Sequence, residues 1–211
     1  MFVDGVFEVE HARRALRLGD VTRARQLLER SRAAAEREGS EVDLAQLDVL
    51  LGEALRRDGQ HELAAQTLHR ALTFAGRSGD AEVLVSGGLV QARLRLDTNH
   101  YEGAAAALGT ALAMAQELGL SCHRVDLLVL RGLLSLRRND IAAAENDARD
   151  ALAYASAPGC GYLYGEADAL HLLATAILTS QPAAPSTRHS EALTHLTDEL
   201  ELRERKLIER A

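Results

Sequence analysis

The chain has 211 residues, 24 Lys and Arg against 31 Asp and Glu, and a formal net charge of −7. Ala and Leu number 37 each, whereas Val and Ile together number 14 and aromatics make up 3%. So few β-branched and aromatic residues exclude an all-β fold and argue against an α/β one, and the acidic balance does not favour bulk attraction to nucleic acid.

With 47% hydrophobic and 26% charged residues the composition is that of a folded chain. No uncharged apolar run is long enough for a membrane span, and no membrane association is expected. The first turns carry Asp4, Glu8, Glu10, Arg13 and Arg14 with no continuous apolar stretch, so no secretory leader is expected. Cys122 and Cys160 form no CxxC motif and suit small buried packing roles in a reducing, cytoplasmic setting better than a disulfide framework.

Taken in chain order, the elements repeat. Gly39, Gly79, Gly119 and Gly159 are spaced by 40, as are Ala24, Ala64, Ala104 and Ala144, and Ala35, Ala75, Ala115 and Ala155. Ser31, Ala71, Ala111 and Ala151 share that register, as do Leu28, Leu68 and Leu108 with Ala148 in the fourth copy. Leu72, Leu112 and Leu152 make a further column that Arg32 breaks. Several columns with one period, glycines included, do not arise from alanine-rich composition alone.

Residues 41–79 show the physics of one unit. Leu44, Leu47, Leu51 and Leu55 recur by three and four, the period of an amphipathic helix. Ser40 with Asp43 resembles a capping box. Asp58-Gly59-Gln60 is a turn, and Leu63, Ala64, Thr67, Leu68, Ala71, Leu72 and Ala75 start a second apolar period that Gly79 stops. Equivalent turns are Gly19-Asp20, Asn99-His100 and Asn139-Asp140.

The predicted units are 1–39, 40–79, 80–119, 120–159 and 160–211, in one domain spanning 1–211. In the fifth, a helix opens at Gly161 and runs through Leu170, Leu173 and Ile177. A loop from Ser180 to Ser186 with Pro182 and Pro185 leads to a last, charged helix from Thr187 that caps the stack. One such hairpin cannot bury its own apolar face, so the units are expected to stack.

The units resemble tetratricopeptide (TPR) repeats. Leu51-Gly52-Glu53-Ala54-Leu55, followed by Gly59, Ala64, Leu68 and Ala71, carries the resemblance best. Ala12, Ala92, Gly132 and Ala174 are the corresponding small residues in the first helices of the other units. The family's tryptophan is absent, its proline appears only near Pro158, and the period is 40 rather than the family's ~34. The resemblance implies an all-α fold, a right-handed α-solenoid of about five antiparallel helix pairs. The segment Gly161–Leu173 further resembles the terminal repeats of TPR arrays in large bacterial signalling proteins.

In TPR proteins the first helix of each pair lines a concave face that grips a peptide or helix. Carried over by register, that face holds an apolar column of Val9, Val49, Leu89 and Val129. Beside it lie Arg17, Arg57, Asp97 and Arg137, and then Arg13, Glu53, Arg93 and Leu133, with His171 in the fifth unit. An apolar line flanked by arginines suits a protein or peptide partner with apolar anchors and carboxylates, which guanidinium forks bind bidentately. The competing reading is that the valines are core and the arginines a solvated face paired with Asp58, Asp97 and Asp140. No unit reproduces the Lys and Asn clamp of TPR cochaperones. The expected function is a protein–protein or protein–peptide interaction module. The alternative is a regulatory sensor of a peptide or small signal within a larger bacterial signalling protein. Leu193, Leu196, Leu200 and Leu207 form a partial heptad through which the last helix could pair in a homodimer.

Enzyme chemistry finds little footing. His61-Glu62-Leu63-Ala64-Ala65 lacks the second histidine of a zinc-protease helix, and Glu191 with His195 offers only two ligands. GxxxxGK[ST], GxGxxG and GxSxG are absent. Ser86-Gly87-Gly88 falls inside a helix, where its glycines serve close packing. Cys122 and His123 are adjacent and point about 100° apart on a helix, so they make no dyad. No catalytic residue, metal or cofactor is expected.

Overall fold

The structure, a computed structural model, describes residues 3–158 and 160–180, with side chains from residue 7 onward. Among the described residues it is all-helical: α1 Val3–Arg17, α2 Val21–Glu38, α3 Glu41–Arg57, α4 His61–Ser78, α5 Ala81–Asp97, α6 Tyr101–Glu117, α7 Ser121–Arg137, α8 Ile141–Ala155 and α9 Leu163–Ser180. The chain divides into two compact units, one ending at Glu117 and one beginning at Leu118, two residues before the predicted boundary between the third and fourth sequence repeats.

The caps explain the helix ends. Asp20, Asp80 and Asp140 each accept the backbone N–H three residues on, at 3.1 Å, and Ser40 accepts that of Asp43 at 3.4 Å. The turn within each pair needs one left-handed residue. Gly19 and Gly59 supply it first, then Asn99 (φ 58°) and Asn139 (φ 62°), asparagine being the side chain that best tolerates that region. Gly39 and Gly79 close α2 and α4 in the same conformation. Gly159 lies outside the described residues; the left-handed glycine there is Gly161. The predicted terminal helix, with Glu191, His195 and the leucines from Leu193 to Leu207, also lies outside them.

In the first unit each helix packs on the next, and in addition α1 touches α3 and α3 touches α5. Among the described residues the second helices α2, α4 and α6 do not touch one another. The repeat columns are the core: Ala24, Ala64 and Ala104 are 0% exposed, and Leu28, Leu68 and Leu108 are fully buried. Gly52 and Gly87 set the approach distance, since a Cβ on either would come within 2.8 Å of Leu68 and Leu72 respectively. Leu63, expected on the buried side of α4, is 44% exposed, because the buried stripe is Ala64, Thr67, Leu68, Ala71 and Ala75 and position 63 falls beside it.

In the second unit α7, α8 and α9 all touch one another. Ala144, Ala148, Ala151 and Ala155 of α8 are buried, continuing the columns. The buried face of α9 is Gly165, Ala169, Leu172 and Ala176. The expected helix through Leu170, Leu173 and Ile177 is present, with Leu170 and Leu173 half-buried and Ile177 exposed. The Leu172 side chain occupies the space that a Cβ on Gly132 would need.

Candidate functional site: the face of the first helices

In the first unit α1, α3 and α5 lie in succession, so the predicted face can be read residue by residue. Its apolar column is not a groove lining. Val49 and Leu89 are buried, 4% and 6% exposed, and Val9 is half-buried. Val49 packs into the space that Gly87 leaves open, with Cγ2 at 3.4 Å from where a Cβ would stand. Both residues are core and leave the face to charged side chains.

Glu53 is the second correction. It is 5% exposed and sits at the centre of an arginine cluster. Arg56 donates to both of its oxygens, at 2.9 and 3.0 Å; Arg57 Nε donates at 2.7 Å; Arg93 stands at 3.6 Å. Burial pushes the Glu53 carboxyl upward. The Arg56 hydrogen bond and the charges of Arg93, Arg56 and Arg57 outweigh it and hold the group at about 2. Arg56 also pairs with Asp97, and Arg57 donates to the Leu16 carbonyl at 2.7 Å. Glu53 therefore organises the face from beneath and is closed to a ligand. Arg13, 3.4 Å from Glu10, and Arg17 are exposed on α1, and Arg57 and Arg93 present partly open edges. Within the cluster three guanidinium groups, Arg56, Arg57 and Arg93, stand against the two carboxylates of Glu53 and Asp97.

Of the remaining predicted residues, Val129 is half-buried and Arg137 exposed on α7, and His171 is exposed on α9. The expected partners of the arginines also differ. Asp58 pairs with Arg25 at 2.9 Å, and Asp140 caps α8.

Among the described residues three buried carboxylates, Asp48, Glu53 and Asp147, carry the polar architecture, and only Glu53 was singled out from sequence. Asp48, 4% exposed, takes Arg32 from α2 at 2.7 Å and Arg70 from α4 at 3.2 Å. This accounts for Arg32 in the leucine column: the facing residue on α3 is acidic. Asp147 on α8 takes Arg131 of α7 through Nε and Nη2, at 3.0 and 2.5 Å. The signal for both was an acidic residue interrupting an apolar stripe.

Cys122 is exposed, not buried as expected; it stands in the first turn of α7, and Cys160 is half-buried. A cavity of about 290 Å³ between α4 and α5 is lined by His61, Glu62, Gln91, Arg95 and Thr98 over Leu68 and Leu94. Among the described residues no three His, Cys, Asp or Glu side chains gather as a metal site would require, and no helix is long and apolar enough to cross a membrane.

No family model matches the chain, and no curated protein does. Among solved structures it is similar to BtubC (BKLC) from P. vanneervenii, at 16% identity and a TM-score of 0.63, covering 98% of this chain and 90% of that one. At that identity the likeness is one of fold: the chain shares an all-helical architecture.

Proposed function

We propose that the chain is a TPR-like module, a right-handed α-solenoid of antiparallel helix pairs, that binds a protein or peptide along the face of its first helices. The reading assigns it no catalysis and places it in the cytoplasm, within bacterial signalling or regulation. What supports the architecture is the forty-residue period together with the packing order inside the first unit, in which first helices meet first helices and second helices stay apart. What supports the binding surface is the row of arginines Arg13, Arg17, Arg57 and Arg93 on the first helices, of which Arg57 and Arg93 are held over buried Glu53. With Val49 and Leu89 withdrawn into the core, the partner's recognised chemistry is acidic first, with carboxylates meeting guanidinium forks.

The test separates binding from folding. Arg57 cannot be reversed in charge without placing a carboxylate against Glu53, so the informative variant is Arg13→Glu with Arg17→Glu. That double variant keeps its helicity and melting temperature and loses an acidic partner captured by the unaltered chain; raised salt weakens the same capture. A partner retained at full strength by a folded double variant overturns the assignment of this face.

A further inference from the structure

We propose that Cys122 and Cys160 are a disulfide-forming pair, a modification site at which the α8–α9 connection is reversibly fastened to the first turn of α7. They are the chain's two cysteines, 38 residues apart in sequence, and nothing in the binding face uses them.

Two sets of contacts bring them together. The connection first folds back on the end of α8: the Cys160 N–H donates to the Ala157 carbonyl at 3.0 Å and the Tyr162 N–H to that of Ala155 at 3.2 Å. Tyr162 is then anchored on α7. Its hydroxyl meets both oxygens of Asp126, at 2.9 and 3.2 Å, and its ring and Val125 together fill the space beside Gly165. Asp126 lies one turn beyond Cys122 on the same face of α7, and Tyr162 lies two residues beyond Cys160. One short strip of the connection thus meets one short strip of helix twice, once through Tyr162 and Asp126 and once through the cysteines. At the second meeting Cys160 stands close enough to Cys122 to act on its thiol.

Burial, Cys160 and Asp126 all push the Cys122 thiol above its ordinary range, so at neutral pH it is held as the protonated thiol rather than the thiolate. The oxidant that fits is a low-molecular-weight disulfide such as oxidised glutathione. Exposed Cys122 gives its proton to water and attacks one sulfur of that disulfide. The oxidant's S–S bond breaks, and one thiol leaves carrying a proton. The Cys160 thiolate then attacks Sγ of Cys122 and displaces the second thiol. The two cysteines lose two electrons and two protons, and the oxidant gains both. The product closes a ring over α7 and α8 and pins the segment leading into α9.

The whole folded chain is incubated with oxidised glutathione at pH 8 and analysed by intact mass, free-thiol titration and a non-reducing peptide map. The expected product is a monomer lighter by about 2 Da, with no free thiol and one linked peptide pair carrying Cys122 and Cys160. Its melting temperature rises by about 5 °C and returns on reduction. Cys122→Ser and Cys160→Ser each stop at a mixed disulfide with glutathione on the remaining cysteine, with no rise in melting temperature. A folded unaltered chain that accumulates two glutathione adducts, links to a second chain, or stays reduced while the urea-denatured chain oxidises overturns the proposal.

Discussion

The helices before Glu117 and those after Leu118 use the same packing and different polar ties. In both, alanines at the forty-residue period carry the close contacts: Ala64 and Ala104 in the first unit, Ala144 and Ala155 in the second. In the first, however, single buried carboxylates each gather several arginines from successive helices, Asp48 from α2 and α4 and Glu53 from α3 and α5. In the second, one two-pronged pair, Arg131 with Asp147, a tyrosine on Asp126 and a guanidinium stacked 3.9 Å over Tyr154 do the work. Periodic apolar columns thus specify a generic stack, and polar groups added one at a time make each layer individual. The first unit should be sensitive to charge, the second to shape.

The sharpest way to break that contrast is Glu53→Ala. It strands three guanidinium groups around an empty centre and should cost about 3–5 kcal/mol, read as lost hydrogen-exchange protection in α3 and α5. Unchanged protection there would remove the cluster from the list of ties. Acid is the next lever. The Glu53 carboxyl falls from its ordinary 4.5 to about 2 on folding. Its contribution, on the order of 3 kcal/mol, is complete above pH about 4.5 and is lost as pH falls from there through about 2. Urea midpoints should fall across that window in the unaltered chain and stay flatter in Glu53→Gln. Shape is tested by Gly132→Ala, which drives a methyl into buried Leu172, with Asp147 Cβ 3.3 Å away on the other side. A loss of about 1–3 kcal/mol is expected, seen as a lower melting temperature with helicity retained. Smallest is Tyr162→Phe, which removes one hydroxyl from Asp126 and should cost about 1 kcal/mol, measured as faster exchange at the start of α9.

Much of this was legible in the sequence because it depends on periodicity. The alanine, leucine and glycine columns marked the buried stripes of α2, α4, α6 and α8 and where helices stop, while of the caps only Ser40 was read. The candidate face was legible only in its register. Val49 and Leu89 read as an exposed stripe because helix period places a residue on a face without saying whether a neighbouring helix covers it, and the close approach permitted by Gly87 decided that. Glu53 was placed on the right face but its depth was not, since its arginines come from a turn later in α3 and from a helix forty residues on. The meeting of Cys122 with Cys160 depends on an irregular connection, where no period exists to read.

Arg57 reaches back to the Leu16 carbonyl at the end of α1, while its neighbour Arg56 reaches ahead to Asp97 at the end of α5. The middle pair of the first unit is therefore keyed on both sides to particular neighbours. Although the period suggests interchangeable bricks, excising residues 40–79 would leave the Leu16 carbonyl and Asp97 without their cationic prongs, and moving the copy elsewhere would leave the prongs without sockets. Anyone shortening or lengthening this array by whole repeats would do better to cut where no such key crosses the joint.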